Sequence, residues 1–136
     1  MLFDKEALFS DNQKVTTTAV SENVICLAKG PLKEVAFGQP VPLAIQVTED
    51  FAGLTGLTVT IETAVDEAFG EAVALATTGT IEAKDLIAGY TFPINFVPKG
   101  NLGFMRAKYI VSGTATAGKI TAGVVASNGG GYHEAV

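Results

Sequence analysis

Apolar and polar residues alternate with a period of two along much of this chain. VPLAIQVT sets Val41, Leu43, Ile45 and Val47 on one face against Pro42, Ala44, Gln46 and Thr48 on the other. LTVTIET sets Leu57, Val59, Ile61 and Thr63 against Thr58, Thr60 and Glu62. AVALA points Val73 and Leu75 together, and YTFPINF aligns Tyr90, Phe92, Ile94 and Phe96. MRAKYIVS places Met105, Ala107, Tyr109 and Val111 together, and ITAGVVAS does so for Ile120, Ala122, Val124 and Ala126. Alternation of this kind marks half-buried strands, which the β-branched residues suit.

Turn signals separate the runs: KGP (29–31), FGQP (37–40), FAGLTG (51–56), AFGE (68–71), IAGY (87–90) and PKGN (98–101). The pattern predicts an all-β fold, a sandwich, barrel or jelly roll of roughly eight short antiparallel strands. Helical periodicity is weak. EAKDLIAG predicts one helical turn ending at Gly89, and DKEALF another. Pro93 interrupts a strand pattern, so that strand belongs at an edge or carries a bulge. Residues 1–126 read as one β-sandwich domain with an N-terminal arm. Residues 127–136, SNGGGYHEAV, read as a Gly-rich tail, flexible or ordered by a partner.

Composition sharpens this picture. Only 17% of residues are charged, 48% are hydrophobic, and the mean hydropathy is +0.35. Such a surplus fills either a generous core or a surface buried against partners. The net charge of −5, with Lys and Arg scattered singly, argues against nucleic acid as a partner. It equally argues against a polybasic membrane patch, and no apolar run approaches the ~18 residues of a span. The opening MLFDKEALFSD carries acidic residues where a secretory signal needs basic ones, so the expected place of synthesis is a cytoplasm. Cys26 is the one cysteine, so no intrachain disulfide forms, and a buried, inert thiol is expected.

One stretch raises a chemical question. GTATAGKI (113–120) has the G-x-x-x-x-G-K spacing of a phosphate-binding loop. Ile120, however, stands where Ser or Thr would ligate magnesium, and the flanks alternate as strands instead of opening a helix. The expectation is a β-hairpin, with Lys119 either a solvated strand-edge charge or a contact to an acidic neighbour. His133 has no neighbour that would orient it for catalysis. Asp66, Glu67 and Glu71, and likewise Glu49 and Asp50, read as solvated loop carboxylates, since neither group has the spacing of a calcium loop. No catalytic residue, metal ligand or cofactor is expected.

Five segments in order carry more information together than any one does: ALFSDNQKVT (7–16), GQPVPLAIQVTEDF (38–51), LTVTIETA (57–64), DLIAGYTFPINFVPKG (85–100) and YIVSGTATAGKITAGVV (109–125). The series resembles the small capsid cement, or decoration, proteins of tailed bacteriophages, of the type found on the Bordetella phage capsid. That resemblance implies a jelly-roll-like β-sandwich and no enzymatic activity. It implies a place on the outer surface of the virion, with the major capsid protein and a second copy of the chain (a homodimer) as partners. Candidate capsid contacts are Leu2, Phe3, Leu8 and Phe9 of the arm and Asn128, Tyr132 and His133 of the tail. Phe3, Leu8 and Phe9 equally suit a role in capping one end of the sandwich. The competing expectation is a carbohydrate-binding or adhesive β-sandwich module on a virion surface, using Tyr90, Tyr109 or loop aromatics.

Overall fold

The computed structural model describes residues 3–26, 42–96 and 102–125. They form one antiparallel sheet of six strands: β1 (Phe3–Lys14), β2 (Ala19–Val20), β3 (Ile25–Cys26), β4 (Leu43–Ala64), β5 (Val73–Glu82) and β6 (Phe104–Val125). The all-β class is the one that the alternation predicts.

Two strands of 22 residues each, β4 and β6, make the backbone of the sheet. They run antiparallel from Leu43↔Val124 to Ala64↔Phe104. The far side of β6 is paired in turn by β3 at Phe104 and Met105, by β2 at Lys108 and Tyr109, and by β1 from Lys119 to Val125. β5 pairs the second half of β4, from Gly56↔Glu82 to Thr63↔Val73. The first half of β4 is covered by residues 86–96. That strap trades backbone hydrogen bonds with Leu43, Ile45, Val47 and Phe51.

The expected count of short strands is therefore corrected. FAGLTG is not a turn, and GTATAGKI is not the loop of a hairpin; both lie inside the long strands. They face each other, and the β4–β6 register shifts four times between Val47 and Gly56. Extra residues there are absorbed as bulges, which bend a strand without ending it. DKEALF is strand β1, not a helical turn, and the expected arm is part of the sheet. EAKDLIAG does make a short 3-10 turn, Ala83–Asp85. Pro93 lies in the edge strap, where its missing donor costs no ladder bond.

The core follows the period-two pattern. Leu57, Val59, Ile61, Met105, Ala107 and Tyr109 are fully buried in one cluster with Leu43, Ile45, Val47, Ile120 and Ala122 from the other half of the ladder. The strap adds Leu86, Phe92 and Ile94, and β1 adds Phe9. Val73 departs from expectation: it is 48% exposed.

Candidate functional site

The predicted contact residues separate once placed. Phe3 lies in β1 opposite Val125, and Leu8 is half-buried opposite Gly123. Phe9 is wholly buried in the core, and its carbonyl accepts the Asn23 N–H at 3.0 Å. Phe9 is thus corrected from a partner contact to a core residue: burying a Phe ring inside the fold leaves nothing for a neighbour to grip. Leu2, Asn128, Tyr132 and His133 lie outside the described residues.

The stretch GTATAGKI holds a carboxylate of its own chain. The Gly118 N–H donates to Glu49 Oε1 at 3.1 Å across the bulged centre of β4 and β6. Lys119 stands in register between Lys14 of β1 and Glu49 of β4. Glu49 is thus its register partner, and the strand-edge role falls because β6 is interior to the sheet. Asp50 Oδ1 accepts the Ala88 N–H at 2.7 Å and so pins the strap. Glu49 and Asp50 are exposed, as expected, but they sit on strand β4 instead of in a loop, and each accepts a backbone N–H. Asp66, Glu67 and Glu71 are exposed on the β4–β5 loop, with Asp66 Oδ1 3.4 Å from the Gly70 N–H. Among the described residues no three His, Cys, Asp or Glu side chains gather to hold a metal ion. Nor is any helix there long and apolar enough to cross a membrane.

Two clusters are invisible in the sequence because the register alone creates them. In the first, the buried Ser10 Oγ lies 2.7 Å from the Tyr109 hydroxyl and 2.6 Å from Gln13 Oε1. Gln13 Oε1 also accepts the Glu22 N–H, and Gln13 Nε2 donates to the Val20 carbonyl. An amide oxygen only accepts, so Ser10 gives its one proton to Gln13, and Tyr109 must donate to Ser10. Burial pushes the Tyr109 phenol well above its ordinary value; the Ser10 bond opposes this and the Glu22 charge adds to it. The fold therefore prefers the neutral phenol. Its contribution is complete below the unfolded value of about 10 and is lost as pH climbs toward the folded one. Stability should fall above about pH 10 by up to about 1.4 kcal/mol per pH unit. Tyr109→Phe should cost about 1 kcal/mol at neutral pH and flatten the alkaline slope. Urea titrations of both proteins between pH 8 and about 11.5 read this directly; parallel slopes would assign the alkaline loss elsewhere.

The second cluster joins the β4–β5 loop to the sheet. Glu62 and Arg106 are register partners, with Nε–H donating to Oε1 at 2.9 Å. Their side chains are 12% and 20% exposed. The Arg106 guanidinium also lies 4.2 Å above the centre of the Phe69 ring. Phe69 is buried with φ at +54°, a costly conformation for a bulky residue. The stack and the ion pair hold that strained turn in place. Glu62→Ala strands a half-buried guanidinium and should cost about 2 kcal/mol, while Glu62→Gln keeps an acceptor and should cost about half that. Chemical denaturation of the two variants checks the ratio; equal losses would show that charge, not the hydrogen bond, matters.

The glycan reading loses one anchor. Tyr109 has no exposed ring face on which a sugar could stack. Tyr90 is half-buried and packs edge-on against Phe92, with ring centres 5.2 Å apart.

A family model, Bbp16, matches residues 9–124. The match runs from Phe9 in β1 to Val124 in β6 and so takes in nearly the whole sheet, including both clusters and the strap. No curated protein matches the chain. The residues matched, and the sheet they build, place this chain in the Bbp16 family, a family of Bordetella phage proteins.

Proposed function

We propose that this chain is a capsid cement protein with a jelly-roll-like fold, bound to the outer surface of an icosahedral phage head. There it staples neighbouring subunits of the major capsid protein. The family match over residues 9–124 carries this reading. A net charge of −5 supports the outer surface over the DNA-filled interior, where an acidic chain would be repelled.

The fold supports a staple in a further respect. β4 and β6 each run unbroken through both halves of the sheet, so a load applied at one end passes through continuous backbone and a shared ladder. Each copy need grip its neighbours only modestly. A standard interface buries about 1,600 Å², and repetition around a closed shell multiplies the effect. Large apolar side chains stand exposed at one end of the sheet: Val65, Val73 and Leu102 are 67%, 48% and 46% accessible. They gather around Thr63, which pairs with Val73 and whose hydroxyl accepts the Leu102 N–H. This end is the first place to look for the shell contact.

The test uses phage heads assembled without the chain. The purified protein should sediment with these heads and raise the temperature at which they lose DNA. Heads that neither bind it nor gain stability from it would sink the reading.

A further inference from the structure

The end of the sheet where β4 passes into β5 carries two kinds of surface side by side. Val65, Val73 and Leu102 are exposed around Thr63: Val65 follows it by two positions, Val73 is its register partner, and the Leu102 N–H is bonded to its hydroxyl. Adjacent strands lie about 4.8 Å apart, so the three side chains fit within a patch roughly 10–15 Å across. The loop between Val65 and Val73 supplies the second kind. Its three charged residues, Asp66, Glu67 and Glu71, are all acidic and all exposed. Among the described residues none of them forms an ion pair. Arg106, the cation stacked on this loop, is already committed to Glu62 and to the Phe69 ring. The loop is also held in shape. Phe69 is buried, and Asp66 accepts the Phe69 N–H on its carbonyl and faces the Gly70 N–H with its carboxylate. The acids are therefore presented by a formed turn, which lowers the ordering cost of binding.

An apolar patch bordered by charge of a single sign has the anatomy of a docking site, and the sign selects the occupant. Nucleic acid and an anionic lipid surface are repelled. A second copy packed two-fold on this end would set three carboxylates against three. We propose that this end receives a polypeptide segment in which Lys or Arg flanks apolar side chains. The apolar groups seat on Val65, Val73 and Leu102, and the cations face Asp66, Glu67 and Glu71. On the cement reading, on which this inference rests, that segment belongs to the major capsid protein.

Co-sedimentation of the full chain with phage heads assembled without it, at salt concentrations from about 50 to about 500 mM, tests this. Wild-type binding should weaken by about tenfold across that range, because exposed charges are screened. Glu67→Lys combined with Glu71→Lys should weaken low-salt binding by about tenfold or more and remove most of the salt dependence. Val65→Ser combined with Leu102→Ser should weaken binding by about tenfold at every salt concentration and leave the salt dependence in place. Glu82→Lys, at an exposed acid on the far end of β5, should bind as the wild type does. Circular dichroism and melting must show each variant folded, and having two pairs guards against one that misfolds. Wild-type protein that fails to bind heads overturns the cement reading and this inference together. Wild-type protein that binds, with either folded pair binding as tightly, overturns the inference alone. Tighter binding after the charge reversal would make the partner surface acidic and overturn it too. So would self-association in sedimentation velocity that the serine pair abolishes, which would give this end to a second copy.

Discussion

Gly118→Ala should be the most damaging single-methyl change in the described sheet, lowering stability by about 3 kcal/mol or more. Two causes act together. Gly118 has φ of +142°, where a side chain is strained. A β-carbon there would also overlap the Phe51 ring along one whole edge. The ring has little freedom to retreat, because Phe51 is a buried member of the core and its N–H is bonded to the Leu86 carbonyl. Any shift that relieved the clash would pull the Gly118 N–H from Glu49. Gly79→Ala is the control. Gly79 also has positive φ, +73°, but nothing lies within 4 Å of its would-be β-carbon. Only backbone strain is felt there, about 1–2 kcal/mol. Urea unfolding of both variants, followed by circular dichroism, measures the difference. If Gly118→Ala costs no more than Gly79→Ala, the packing of Phe51 against the kink is not what fixes this part of the fold.

That same glycine explains where the sequence misleads. The second half of β4 is legible because Leu57, Val59, Ile61 and Thr63 alternate without interruption, and all four are fully buried. Met105 to Val111 is legible for the same reason. FAGLTG and GTATAGKI are not legible as strand, because a bulge and a turn ask for the same local chemistry: small residues, with Gly where φ turns positive. What distinguishes them is the partner opposite. Each irregular stretch is matched by the other, and the ladder resumes one residue out of step on the far side. A pairing that spans some sixty residues of chain has no local signature. The side-chain clusters were hidden in the same way. Ser10 and Tyr109 are 99 positions apart, and Glu62 and Arg106 are 44 apart. Nothing in either neighbourhood announces the other, whereas the strap was half-visible through the alternation of Phe92 and Ile94.

Removing residues 1–9 should cost the protein its fold, not merely its grip on a partner. The opening of the chain shows no strand period because β1 pairs loosely with β6. Its register slips three times between Phe3 and Gln13, and each slip breaks the alternation by which a strand is recognised. A segment without period reads as an arm. Yet Phe9 is completely buried, and the neighbouring Ser10 anchors the buried Tyr109 network. Phe9→Ala alone should lower stability by about 3–5 kcal/mol, the range for emptying a core Phe site. Such a loss is a large part of the 5–15 kcal/mol that holds a typical domain together, and truncation adds the loss of β1 ladder bonds. Circular dichroism and thermal melting of the truncated chain and of Phe9→Ala decide the matter without any partner present. A truncated chain that melts like the full one would restore the arm, and Phe9 would again be free to act as a contact. If instead both variants melt early, lost head binding after truncation says nothing about contact. Residues that would face the proposed shell must then be sought by substitutions that leave the core intact, beginning with Val65, Val73 and Leu102.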